Sequence, residues 1–104
     1  MEKITFIINP TAGHKRYRTV EKEIYKYINR NKFQFNIEYS KQRGDVKNLV
    51  RKAIAKGSNI IIAVGGDGTV NEVSSEIVNS KIKMGVIPIG SGNGLALCLG
   101  IPTD

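Results

Sequence analysis

Apolar residues follow two rhythms that alternate along this chain. Lys3 to Ile8 is β-branched and aromatic, a strand, and it stops at Asn9-Pro10-Thr11-Ala12-Gly13, a turn cluster whose proline ends pairing. From about Tyr17 to Arg30 the residues Val20, Ile24, Tyr27 and Ile28 recur at helical spacing, with Arg18, Lys22 and Lys26 on the opposite side. That spacing predicts an amphipathic helix with a basic outer face. Phe33, Phe35, Ile37 and Tyr39 then alternate with polar residues up to Ser40, a second strand. After the break at Gly44, Asp45 is placed to cap a helix that turns Val46, Leu49, Val50, Ala53 and Ile54 inward.

Asn59 to Val64 contains an unbroken apolar run from Ile60, as expected of a central strand buried on both faces of a parallel sheet. The loop Gly65 to Thr69, a helix over Val70 to Asn79, a strand over Met84 to Ile87, a second glycine loop and a short apolar helix from Leu95 to Leu99 complete the order. Strands that alternate with helices in this way predict an α/β fold, a single three-layer lobe around a parallel sheet.

A length of 104 residues leaves room for one small domain, and no repeat, linker or internal boundary divides it. The composition of 40% hydrophobic and 24% charged residues, with no long apolar run, argues against disorder and against a membrane span. The N-terminal residues lack the series of a signal peptide, and Cys98 is a lone cysteine on an apolar stretch, expected in the core. Both observations point to a reducing cytoplasm. His14, without a second histidine or a cysteine at ligand spacing, builds neither a zinc site nor a catalytic dyad. A net charge of +7 attracts phosphate-bearing partners, whether nucleotide, anionic lipid or nucleic acid. Nucleic acid ranks last, because the aromatic residues fall mostly on core-facing positions and no recognised binding motif is present.

In open parallel sheets ligands gather beyond the carboxyl ends of the strands. Here three strands run into loops of Gly, Asn, Thr and Ser that could share one crevice. Glycine lets backbone approach a phosphate, and the N–H groups of a following helix accept its charge; Gly65 to Thr69 before Val70 fits that device. A capping box between Thr69 and Glu72 explains part of the same segment. It leaves Asp67 unexplained, a carboxylate between glycines, which suggests Mg²⁺ coordination or proton abstraction from a hydroxyl. The loop from Pro88 to Gly94 repeats the glycine pattern with a hydroxyl and an amide. Neither loop is a Walker or dinucleotide fingerprint.

Taken in order, Asn9-Pro10-Thr11-Ala12-Gly13, Gly65-Gly66-Asp67-Gly68-Thr69-Val70-Asn71-Glu72-Val73 and Pro88-Ile89-Gly90-Ser91-Gly92-Asn93-Gly94-Leu95-Ala96 resemble the diacylglycerol kinase catalytic-domain family. That family includes bacterial lipid kinases, sphingosine kinases and ceramide kinases. The resemblance implies a nucleotide-binding lobe like the NAD kinase and phosphofructokinase fold, with ATP and Mg²⁺ as cofactors and a lipid hydroxyl at a membrane surface as acceptor. It implies nucleotide contacts at Asn9, Pro10, Thr11, Ala12, Gly13, Ser40, Gly65, Gly66, Asp67, Gly68, Thr69, Asn71, Glu72, Gly90, Ser91, Gly92 and Asn93, with Asp67 also the catalytic candidate. Gly94 stands where bacterial diacylglycerol kinases carry aspartate, and Ser91-Gly92-Asn93 is nearer the sphingosine kinase version, so the lipid species stays open.

Family members continue into a β-rich second domain, which does not follow Asp104 in this sequence. The isolated lobe is therefore expected to be inactive, and its exposed sheet edges favour pairing, with a homo-oligomer one form. Two other readings stand beside the lipid kinase. One is an NAD kinase-like small-molecule kinase, which shares the Gly-Gly-Asp-Gly loop but not the flanking motifs. The other is a non-catalytic nucleotide-binding module. The stripe of Arg18, Lys22 and Lys26 offers a peripheral hold on anionic membrane.

Overall fold

A computed structural model describes residues 1–10, 17–42 and 44–88. Its elements are β1 (Glu2–Ile8), α1 (Tyr17–Tyr27), β2 (Phe33–Tyr39), α2 (Asp45–Ala55), β3 (Ile60–Gly65), α3 (Asp67–Ile77) and β4 (Lys83–Pro88). All strand pairs are parallel, in the order β2-β1-β3-β4. The expected helix from Leu95 to Leu99, together with His14 and Cys98, lies outside the described residues.

Side chains leave a strand on alternate faces, so the sheet carries two cores. Ile4, Phe6, Ile8, Ile60, Ile62 and Val64 meet Ile24 and Ile28 of the first helical segment. Ile7, Ile61 and Ala63 meet Val46, Val50 and Ala53 of α2 and Val73 and Ile77 of α3. The sheet thus lies between α1 on one face and α2 with α3 on the other, the three layers expected. β3 feeds both cores, with Ile61 to Val64 wholly buried, and each such isoleucine contributes about 1.5–3 kcal/mol by leaving water. Across the outer face of α2 and α3, Arg51 makes two hydrogen bonds to Glu76, at 3.1 and 3.2 Å. At an exposed site such a pair adds roughly 0–1 kcal/mol.

Three expectations are corrected. Tyr27, expected inward, is 59% exposed. It ends α1 and sits about 60° around the helix from Ile24, off the axis of the apolar stripe. Asp45 is not the cap of α2. Gly44 holds that position in the left-handed region, at φ 92°. Asp45 is the first helical residue, and its Oδ2 accepts the backbone N–H groups of Lys41 and Gln42 at 2.8 and 3.0 Å. The capping box of Thr69 and Glu72 does not form either, because α3 begins at Asp67 and Thr69 is already inside it. Gly66 takes the capping position with no side-chain cap.

Candidate functional site

Three strand exits are stitched into one rim. Asn9, just past β1, donates its backbone N–H to the Val64 carbonyl of β3 at 3.0 Å. Ser40, just past β2, donates its own to the Ile8 carbonyl at 2.9 Å. The chain moves from β1 outward to β2 and then back past β1 to β3, so the carboxyl ends of β1 and β3 form the switch point at which open α/β sheets bind ligands. A crevice of about 410 Å³ opens there, lined by Asn9, Ser40, Lys41, Gln42, Val46, Gly68, Thr69 and Glu72.

The floor is set by Gly65. A Cβ at that position would meet Thr69 Oγ1 at 2.9 Å and Thr69 Cβ at 3.1 Å, which no L side chain tolerates without movement. Glycine therefore lets the start of α3 fold tightly against the end of β3, and Thr69 is buried there at 4% exposure. Gly66 and Gly68 differ. A Cβ on either meets nothing within 4 Å, and neither takes a positive φ. The packing of the described residues does not require glycine at either position.

Helix N-terminal N–H groups lack intrahelical partners, and among the described residues no side chain caps those of α3. They combine with the positive end of the helix dipole as donors for an anion. Asp67, in the first turn, is exposed and makes no ion pair or side-chain hydrogen bond among the described residues. Glu72, further along α3, lines the crevice, and its Oε2 is covered from solvent and has no hydrogen-bond partner among the described residues. A buried acceptor left unpaired costs about 1–3 kcal/mol.

The structure brings together Asn9, Ser40, Gly68, Thr69 and Glu72 as lining residues, with Gly65 beneath and Gly66 and Asp67 at the lip of α3. Pro10 follows Asn9, half-buried. Asn71 is exposed on α3 and does not line the crevice. Thr11, Ala12, Gly13, Gly90, Ser91, Gly92 and Asn93 lie outside the described residues. Three lining residues were not anticipated: Lys41, Gln42 and Val46. The signal for the first two was their place directly after the strand that neighbours β1. Among the described residues no group of three or more His, Cys, Asp or Glu is arranged to hold a metal ion.

The sequence profile of the family described as diacylglycerol kinase catalytic domain matches residues 3–104. The chain belongs to that family. Among its relatives, the diacylglycerol kinase of Staphylococcus haemolyticus is 31% identical over 94% of this chain and 30% of its own length. That of Bacillus subtilis is 29% identical over 100% of this chain and 35% of its own. The crystal structure of a diacylglycerol kinase from Bacillus anthracis superposes with a TM-score of 0.63 at 28% identity, covering 99% of this chain and 36% of that one. This diacylglycerol kinase-family chain thus spans about a third of the length of such relatives. A phosphate-loop protein solved in solution shares the fold, with a TM-score of 0.67 at 18% identity over 99% of this chain and 93% of its own.

Proposed function

We propose that this chain is the nucleotide-binding lobe of an ATP-dependent lipid kinase, which transfers the γ-phosphate to a lipid hydroxyl such as that of diacylglycerol or a sphingoid base. The observation that carries this reading is the pair of glycines, Gly66 and Gly68, with open space where a Cβ would stand, at the uncapped start of an 11-residue helix beside the switch-point crevice. Phosphoryl transfer asks the protein mainly for positioning and charge stabilisation. Backbone N–H groups from Gly66 to Thr69 hold the phosphates. Asn9, Ser40 and Glu72 shape the crevice that takes the rest of the nucleotide, with Glu72 Oε2 accepting from a ligand hydroxyl or amine.

Mg²⁺, when bound, offsets the triphosphate charge. Asp67, the exposed carboxylate in the first turn of α3, would be the residue to hold it. The same carboxylate is the candidate to accept the proton of the lipid hydroxyl. Asp67→Asn in the complete enzyme is expected to lower kcat by roughly 10²–10⁴-fold. Nucleotide affinity that persists in this variant assigns the role of base, and affinity that loses its Mg²⁺ dependence assigns the role of metal ligand. Full turnover would remove Asp67 from the chemistry. Label from ATP appearing in lipid, and not in NAD, separates this reading from an NAD kinase.

A further inference from the structure

A second pocket, of mixed polar and apolar lining, lies on the α2 face of the sheet, beside the edge strand. The residues that β2 turns to this face, Gln34, Asn36 and Glu38, are all polar, whereas its other face packs Phe33, Phe35 and Ile37 toward α1. Between β2 and the last turns of α2 a pocket of about 100 Å³ remains, lined by Lys3, Lys52 and Lys56, by Thr5, Asn36 and Glu38, and on its α2 side also by the apolar Leu49 and Ala53.

Its hydrogen bonding is one-sided. Thr5 is fully buried, and its hydroxyl is shared between Asn36 Oδ1, at 3.0 Å, and Ser58 Oγ. The Asn36 amide gives one proton to Glu38 Oε1 at 3.1 Å, and its other proton has no partner among the described residues. Lys3 Nζ gives one proton to the Lys56 carbonyl at 3.0 Å. The ammonium groups of Lys52 and Lys56 have no partner among the described residues, whose one ion pair is Arg51 with Glu76. Three cations face one carboxylate, and like charges one helical turn apart repel by about 0.2–0.5 kcal/mol. Placement at the end of α2 offsets part of this through the helix dipole. It does not account for the Asn36 amide N–H that has no partner among the described residues.

From this juxtaposition we infer that the pocket binds a phosphate dianion, free or as a phosphomonoester headgroup. Donors outnumber acceptors, the local excess of two positive charges matches the ligand, and the volume admits one phosphate but no nucleotide. The pocket is separate from the crevice. Lys3 and Asn9 are six residues apart along an extended strand, roughly 20 Å. The inference does not depend on the kinase reading.

Titration of the chain with inorganic phosphate, followed by ¹H–¹⁵N NMR, tests it. Saturable shifts are expected at the Asn36 side-chain amide and at the backbone of Thr5, Lys52 and Lys56, apart from any shifts at Gly66 to Thr69. Lys52→Gln with Lys56→Gln is expected to weaken the first set about tenfold, and Glu38→Gln to strengthen it about fivefold, the effect of about one kcal/mol of screened repulsion. Lys47→Gln, elsewhere on α2, serves as control. Shifts that never saturate and are reproduced by sodium chloride at equal ionic strength, or that survive the double substitution unchanged, would overturn the site. Sedimentation with phosphatidylcholine vesicles that carry phosphatidic acid or, at equal charge, phosphatidylglycerol then separates the sources. Phosphatidic acid-selective binding lost in the double variant assigns the headgroup, and phosphate binding without it assigns the free ion.

Discussion

Glycines of two kinds stand side by side between β3 and α3. Gly65 is held by packing, since Thr69 returns to within 2.9 Å of where its Cβ would be. Gly68 has open space around it and sits in a helix, where glycine costs about 0.5–1 kcal/mol relative to alanine. Gly65→Ala is therefore expected to lose about 1–3 kcal/mol in urea unfolding, as overpacking does. Gly68→Ala is expected to unfold at the same or higher urea concentration. A Gly65→Ala protein as stable as the parent would contradict the close approach of Thr69. Spacing in the sequence marked the whole segment as a phosphate loop but could not tell these glycines apart, because the distinction depends on how tightly the chain turns back. Glu72 was legible only as a motif residue; that one of its oxygens is covered and unpaired is a property of the crevice.

At the scale of elements, the seven described strands and helices were readable from periodicity, and the errors fall at their ends. The start of α3 was expected at Val70 because Gly-Asp-Gly-Thr reads as a turn. Helix-initial positions tolerate poor formers, and an acid there is stabilised by the dipole, so the helix begins at Asp67. The entry to α2 was misread in a different way. Asp45 supports the turn that precedes it, accepting from Lys41 and Gln42 and so shaping one wall of the crevice. Asp45→Ala is expected to cost about 1–2 kcal/mol in thermal unfolding and to speed amide exchange at Lys41 and Gln42. Unchanged exchange there would mean that the wall stands without Asp45.

For the molecule as a whole, alternation announced a parallel sheet and the all-apolar run announced β3 as its centre. The order β2-β1-β3-β4 was not written in the pattern, since which edge a crossover takes depends on how the helices share the two faces. That order creates the switch point and so brings Asn9, Ser40 and the start of α3 with Gly68 and Glu72, three segments far apart in sequence, to one crevice. No described helix is long and apolar enough to cross a membrane, so in the proposed kinase the lipid substrate is met by a domain that does not span the bilayer through these helices. The central claim is that the crevice and the start of α3 bind a nucleotide through backbone at Gly66 to Thr69. Isothermal titration of the chain with ATP in Mg²⁺, beside Gly68→Val, tests it most directly. The account predicts a Kd on the order of micromolar to millimolar, weakened about tenfold or more in Gly68→Val while its unfolding stays that of the parent. A parent chain that takes up no nucleotide, or a Gly68→Val chain that binds as tightly, would contradict it.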